Sequence, residues 1–230
     1  MYSKFLDYLK NSNERMMSNP VGEIAIGGLR VYIKEPLPDH VDVEYCFSYI
    51  LEKMPRVFYN NLDKIFIGQF PFLKKREVDA VYKDGSIYIT NNQETNDTFI
   101  ADIIHEVAHA FEDSKQKELY DDETIKKEFL SKRKALLAIL KNKNFLQEPI
   151  TEEDFYKTEY SAEFDNFLYK TVGYSKLEAE TRNIFLSPYA ATCLREYFAN
   201  AFEIFFVKDL FLVKKHAPSV YTKLINYLEF

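Results

Sequence analysis

Tryptophan is absent from the sequence, and cysteine occurs only twice in 230 residues. Cys46 and Cys193 lie far apart, each inside an apolar helical pattern, so two buried free thiols are expected rather than a disulfide. No apolar run approaches the length of a membrane span. The opening residues Met1 to Tyr8 carry charges where a signal peptide needs an uninterrupted apolar stretch. An intracellular chain is therefore expected as written, with delivery by a secretion system, toxin complex or virion left open. There is no excess of positive charge: the formal net charge is −6, which argues against general nucleic-acid binding. Internal repeats, low-complexity tracts and long linkers are also missing.

What is present fits a folded globular chain of one large domain, expected to be monomeric. Hydrophobic residues make up 47% and charged residues 29%. All the aromatic residues are Phe and Tyr, so the core is expected to be built on flat rings. Strand-like patterns gather in the first half: Gly22–Gly28 and Leu29–Ile33 around a Gly-Gly turn, Lys64–Gly68, and a hairpin of Val78–Tyr82 with Ser86–Thr90. A helix is expected from Asp42 to Lys53, ending before Pro55. Residues 1–20 read as an amphipathic arm using Phe5, Leu6 and Leu9.

The second half reads as helical. Asp121 to Asn142 is a charged helix, and Thr151 opens a cap cluster for a helix reaching about Tyr169. Gly173 breaks it, and Lys176–Phe185 is a further helical piece. Ser187 as N-cap and Pro188 at the first helical position would start one helix running from Tyr189 to Phe206. A terminal helix follows Pro218, while His216 belongs to a solvated helix end. Strands in one block and helices in another define an α+β class, with a sheet-containing lobe at about 20–113 and a helical lobe at about 114–230.

One stretch carries chemistry. Ile100, Ile103, Ile104, Val107, Ala108 and Phe111 recur at the spacing of a buried helical stripe, with Asn96 or Asp97 placed to cap its start. Asp102, His105, His109 and Glu112 fall on the other face. Histidines four apart stand one turn apart and can reach a single metal ion. Glu106 is rotated roughly 100° from His105, beside the metal rather than on it, where a carboxylate can take a proton from water. This is the H-E-x-x-H arrangement of zinc hydrolases. A catalytic site of this kind needs a third protein ligand. In the apolar helix downstream, a carboxylate is costly unless paired or bound to metal. Glu196 and Glu203 are both candidates, and Tyr189, Glu196 and Glu203 are spaced by sevens.

His105-Glu106-Val107-Ala108-His109, followed by Tyr189 and then Glu196-Tyr197-Phe198-Ala199-Asn200-Ala201-Phe202, resembles the metalloprotease domain of anthrax lethal factor and the single-domain Pro-Pro endopeptidases of the same superfamily. The resemblance implies a zincin-like fold of the gluzincin kind. It implies Zn²⁺ held by His105, His109 and Glu196, with Glu106 as general base and Tyr189 in the site stabilising the oxyanion. The implied activity is hydrolysis of a peptide or protein substrate. Two departures stand out: Asn200 replaces a second acid of the family pattern, and the stretch between His109 and Glu196 is longer than in the compact members. The strand at 86–90 is either the edge of the cleft, where such a strand pairs with an extended substrate in zinc endopeptidases, or an ordinary sheet strand. The alternatives are a catalytically silent zinc-binding structural or interaction protein of a larger assembly, and a metal hydrolase acting on a non-peptide substrate.

Overall fold

In the computed structural model, residues 22–181 and 184–229 are described. The expected N-terminal arm lies outside them. The chain is α+β, with two compact units divided inside one helix: the first runs through Ala110, the second from Phe111.

The first unit is built on a mixed five-stranded sheet. Its strands are β1 (Gly22–Ile26), β2 (Leu29–Ile33), β3 (Lys64–Ile67), β4 (Ala80–Lys83) and β5 (Ser86–Ile89), in the order β1-β2-β3-β5-β4. β1 and β2 form an antiparallel hairpin, β2–β3 and β3–β5 are parallel, and β4–β5 is antiparallel. Both hairpins turn through residues of positive φ, Gly27-Gly28 at 60° and 87° and Asp84-Gly85 at 49° and 75°. These suit the two-residue turns whose twist matches that of the strands. At Gly27 a Cβ would also lie 2.6 Å from the Leu51 side chain, which would have to swing aside.

Alternation gives the sheet two apolar faces. Tyr32, Phe66 and Tyr88 stack across β2, β3 and β5 at 5.4 Å and 5.1 Å, with Phe70, Phe72 and Leu73 packed on them. Val31, Ile65, Ile67, Ile87 and Ile89 fill the other face and are fully buried. Helix α1 (Val43–Lys53) is capped by Asp42, whose carboxylate accepts the Tyr45 N–H at 2.9 Å. A short helix, α2 (Pro71–Arg76), was not anticipated; its signal was Pro71 at the first helical turn.

Helix α3 (Asn96–Tyr120) begins on a different cap from the one expected. Thr95 and Thr98 exchange hydrogen bonds, each hydroxyl accepting the other's backbone N–H at 3.0 Å. Asn96 instead accepts the Asp42 N–H at 2.8 Å, serving α1. A threonine pair closes the same reciprocal loop as a Ser/Thr–Glu capping box.

The second unit holds the remaining helices: α4 (Thr124–Asn142), α5 (Ala162–Asn166), α6 (Tyr174–Thr181), α7 (Leu194–Val207), α8 (Leu210–His216) and α9 (Pro218–Leu228). Two expected helices are broken. Thr151 does cap with Asp154, but the turn ends at Tyr156; helix resumes only at Ala162, passing into a π-turn at Phe167–Gly173. In the gap, the Thr158 carbonyl accepts the Leu194 N–H at 2.9 Å, an orphan donor at the start of α7. The expected piece Lys176–Phe185 is α6, which starts earlier at Tyr174 and leaves Phe185 outside any helix.

The Tyr189–Phe206 stretch is likewise two elements. Ser187 accepts the Ala190 N–H at 3.2 Å and opens one 3-10 turn, Tyr189–Ala191. The backbone then extends at Cys193 (φ −158°) before α7 begins. Buried Arg133 stabilises this break, its Nη1 donating to the carbonyls of Ala191 at 2.5 Å and Thr192 at 3.1 Å. A cation there satisfies carbonyls that a continuous helix would have consumed internally.

Candidate metal centre

His105 and His109 lie one turn apart on α3, with ring centroids 5.0 Å apart. The helix is regular through both; its one non-helical residue is Lys115. Beyond His109, the turn containing Phe111, Glu112 and Asp113 makes the contacts that locate α7. Phe111 packs on Phe198 and Phe202. Arg195 reaches Glu112 and Asp113, each at 3.3 Å. Tyr120 donates a hydrogen bond to the buried Glu112 carboxylate. Glu196 follows Arg195 directly.

His105, His109 and Glu196 each offer a ligand atom, and these atoms lie within 4.8 Å of one another. The three could hold a metal ion. Glu203 is not in the cluster, nor is His216, whose carbonyl accepts the Tyr197 hydroxyl at 3.4 Å. His109 is buried; His105 and Glu196 are half-buried. The donor set is two imidazole nitrogens and one carboxylate.

Glu106 is buried, and its carboxylate accepts the backbone N–H of Tyr82 on β4. This sheet contact was not legible in the helix pattern. Of the two readings of the strand at 86–90, the sheet order supports the ordinary sheet strand. β5 lies between β3 and β4, so both its edges are already paired. Among the described residues β4 is an edge strand on that side, and Tyr82 sends its N–H away from β5 to Glu106.

Asp102 stands one turn before Glu106. Burial pushes its carboxyl up to about 7; the charges of Asp79 and Glu106 raise it further, while the Gln93 amide, at 3.2 Å, and His105 oppose the rise. A bound cation would favour the ionised form. Gln93 is itself buried, and its carbonyl faces His40 Nε2 at 3.3 Å.

Tyr189 does not share a continuous helix with Glu196, yet it is electrostatically coupled to it. Burial first, then the negative charge of Glu196, hold the Tyr189 hydroxyl well above the usual phenol range, so it stays a neutral donor. Asn200 is one turn beyond Glu196 on α7; its Oδ1 is buried and lacks a hydrogen-bond partner among the described residues. Cys46 and Cys193 are free and buried as expected, with burial the main cause pushing both thiols up to about 11.

Comparison with protein-family models, characterised proteins and solved structures finds no match to any of them. Among the described residues, no helix is long and apolar enough to cross a membrane.

Proposed function

We propose that the chain is a zinc-dependent endopeptidase of the gluzincin kind, with a zincin-like fold. The observation that carries this reading is the gathering of His105, His109 and Glu196, with Glu106 next to the first ligand in sequence. The donor set suits zinc better than calcium or magnesium, which prefer all-oxygen sites. Zinc bound there would supply a Lewis acid and bring the pKa of a water to near 7.

The chain's own residues then divide the work. Glu106 accepts a proton from the attacking water and passes it to the leaving amine. Its hydrogen bond from Tyr82 fixes the carboxylate's orientation. Tyr189, kept protonated, donates to the developing oxyanion. An extended peptide adding to the outer side of β4, which no described strand pairs, would run beside Glu106, which supports a peptide substrate.

The ligand set is tested by elemental analysis and chelator competition. Wild type should retain one zinc per chain, and Glu196→Ala should lose it, whereas Glu203→Ala should not. Full zinc affinity in Glu196→Ala would remove that ligand from the site.

The unpartnered Asn200 oxygen gives a further expectation. Ligating histidines usually donate their second ring N–H to an outer acceptor, and a buried acceptor without a donor is costly. Asn200→Ala should therefore weaken zinc affinity by roughly 10–100-fold, and Asn200→Asp should preserve or strengthen it. Equal affinity of wild type and Asn200→Ala in a chelator titration would show that Asn200 only packs.

A further inference from the structure

Among the described residues, the exposed large side chains made only of carbon and hydrogen are Leu210, Phe211, Leu212 and Leu228. Three of the four are consecutive. Phe211 is 68% exposed, Leu212 42% and Leu210 36%. The other exposed large hydrophobics are tyrosines, which carry a hydroxyl that water can solvate. Scattered apolar residues on a surface are ordinary; a run of three at one turn is not.

This run is held in place. Asp209 caps α8, its side chain accepting the Phe211 N–H at 2.8 Å and its carbonyl accepting the Leu212 N–H at 3.1 Å. Val213 is fully buried and anchors the helix from behind. The apolar triplet therefore presents a preformed turn.

Along the chain, the charges flanking the turn are mainly cationic, against a net charge of −6 for the whole. Lys208 precedes it, Lys214 and Lys215 occupy the next turn, and all three are exposed; Asp209 is the sole acid from 207 to 217. Around the helix, Lys214 and Lys215 interleave with Leu210, Phe211 and Leu212 at 100° per residue. The first turn thus offers apolar side chains and the second offers ammonium groups on long flexible stems. Such stems can lie along apolar surface while their heads reach a charged layer.

We propose that this turn docks on an anionic lipid surface, with Leu210, Phe211 and Leu212 entering the boundary between headgroups and acyl chains and Lys208, Lys214 and Lys215 meeting the headgroup phosphates and carboxylates. Apolar insertion and electrostatic attraction add in this mode, and each alone is weak. The contact is peripheral and reversible, and it is independent of any chemistry at the metal cluster.

The test is sedimentation of the full chain with vesicles of phosphatidylcholine, with and without phosphatidylserine. Wild type should pellet with the phosphatidylserine vesicles and be released by salt, because charge attraction near the surface is screened within a Debye length. Phe211→Ser with Leu212→Ser should reduce partitioning by roughly tenfold or more. Both positions are exposed, so circular dichroism should report an unchanged fold. Lys214→Glu with Lys215→Glu leaves the apolar side chains in place and should abolish the preference for anionic vesicles. Absence of pelleting by wild type, or equal pelleting of wild type and the serine variant, would overturn the proposal. So would a concentration-dependent dimer that Phe211→Ser dissolves while vesicle binding is absent, since a second copy would then cover the patch.

Discussion

Glu106→Gln should leave zinc binding and fold intact while lowering the rate of peptide cleavage by about 10³-fold or more, within the range that a positioned general base contributes. The substitution is informative because of what it preserves. The glutamine carbonyl can still accept the Tyr82 N–H, so the contact with β4 survives and only proton-accepting capacity is lost. Glu106→Ala would confound the two by leaving a backbone donor without its acceptor. Tyr189→Phe should cost less, about 10²–10³-fold in kcat, because it removes one hydrogen-bond donor to the oxyanion and leaves the base in place. The measurement is turnover of a mixed-sequence peptide library by the zinc-loaded proteins, alongside zinc content. Wild-type turnover in Glu106→Gln would end the proposed mechanism. Turnover absent in wild type, with zinc bound at full occupancy, would favour a silent metal-binding protein instead.

Arg133→Met should destabilise the chain by about 3–5 kcal/mol, an effect read as a drop in the urea midpoint with little change in slope. Arg133 is 1% exposed, and its guanidinium donates to three backbone carbonyls: Ala191, Thr192 and Asp154 at 2.6 Å. It also lies 3.8 Å above the Phe164 ring, with Phe129 and Phe155 at 5.4 Å and 5.5 Å. Burial pulls the guanidinium down to about 9, still charged at neutral pH. Methionine replaces much of the packing but none of the donors, and each buried carbonyl left unsatisfied costs about 1–3 kcal/mol. Arg133→Lys should fall between, since one ammonium cannot span the same three acceptors. A loss under about 1 kcal/mol for Arg133→Met would show that water replaces the guanidinium at no serious cost.

The parts that were readable in the sequence were those determined by near neighbours. The Gly27-Gly28 and Asp84-Gly85 turns, the helix ending before Pro55 and the His105–His109 spacing depend on residues within a few positions of each other. What escaped depended on distant partners. The break at Thr192–Cys193 is stabilised by Arg133, about sixty positions upstream, and no local breaker marks it. Glu106 meets Tyr82 because β4 lies at the end of the sheet beyond β5, and strand order within the sheet is not a local property. The Thr95–Thr98 cap was local and missed, because asparagine and aspartate are the stronger cap formers and Asn96 was already engaged elsewhere.

The restart of the backbone at Cys193 has an engineering consequence. In one continuous helix, seven residues would separate Tyr189 from Glu196 by about 10 Å along the axis, and each residue inserted between them would swing one about 100° around the other. Because the chain extends between the 3-10 turn and α7, the phase of α7 no longer dictates the direction from which Tyr189 approaches. The donor hydroxyl and the carboxylate sit on separately adjustable supports. Loop length at 191–193 becomes a dial for the position of Tyr189 that leaves the rotation of Glu196 untouched.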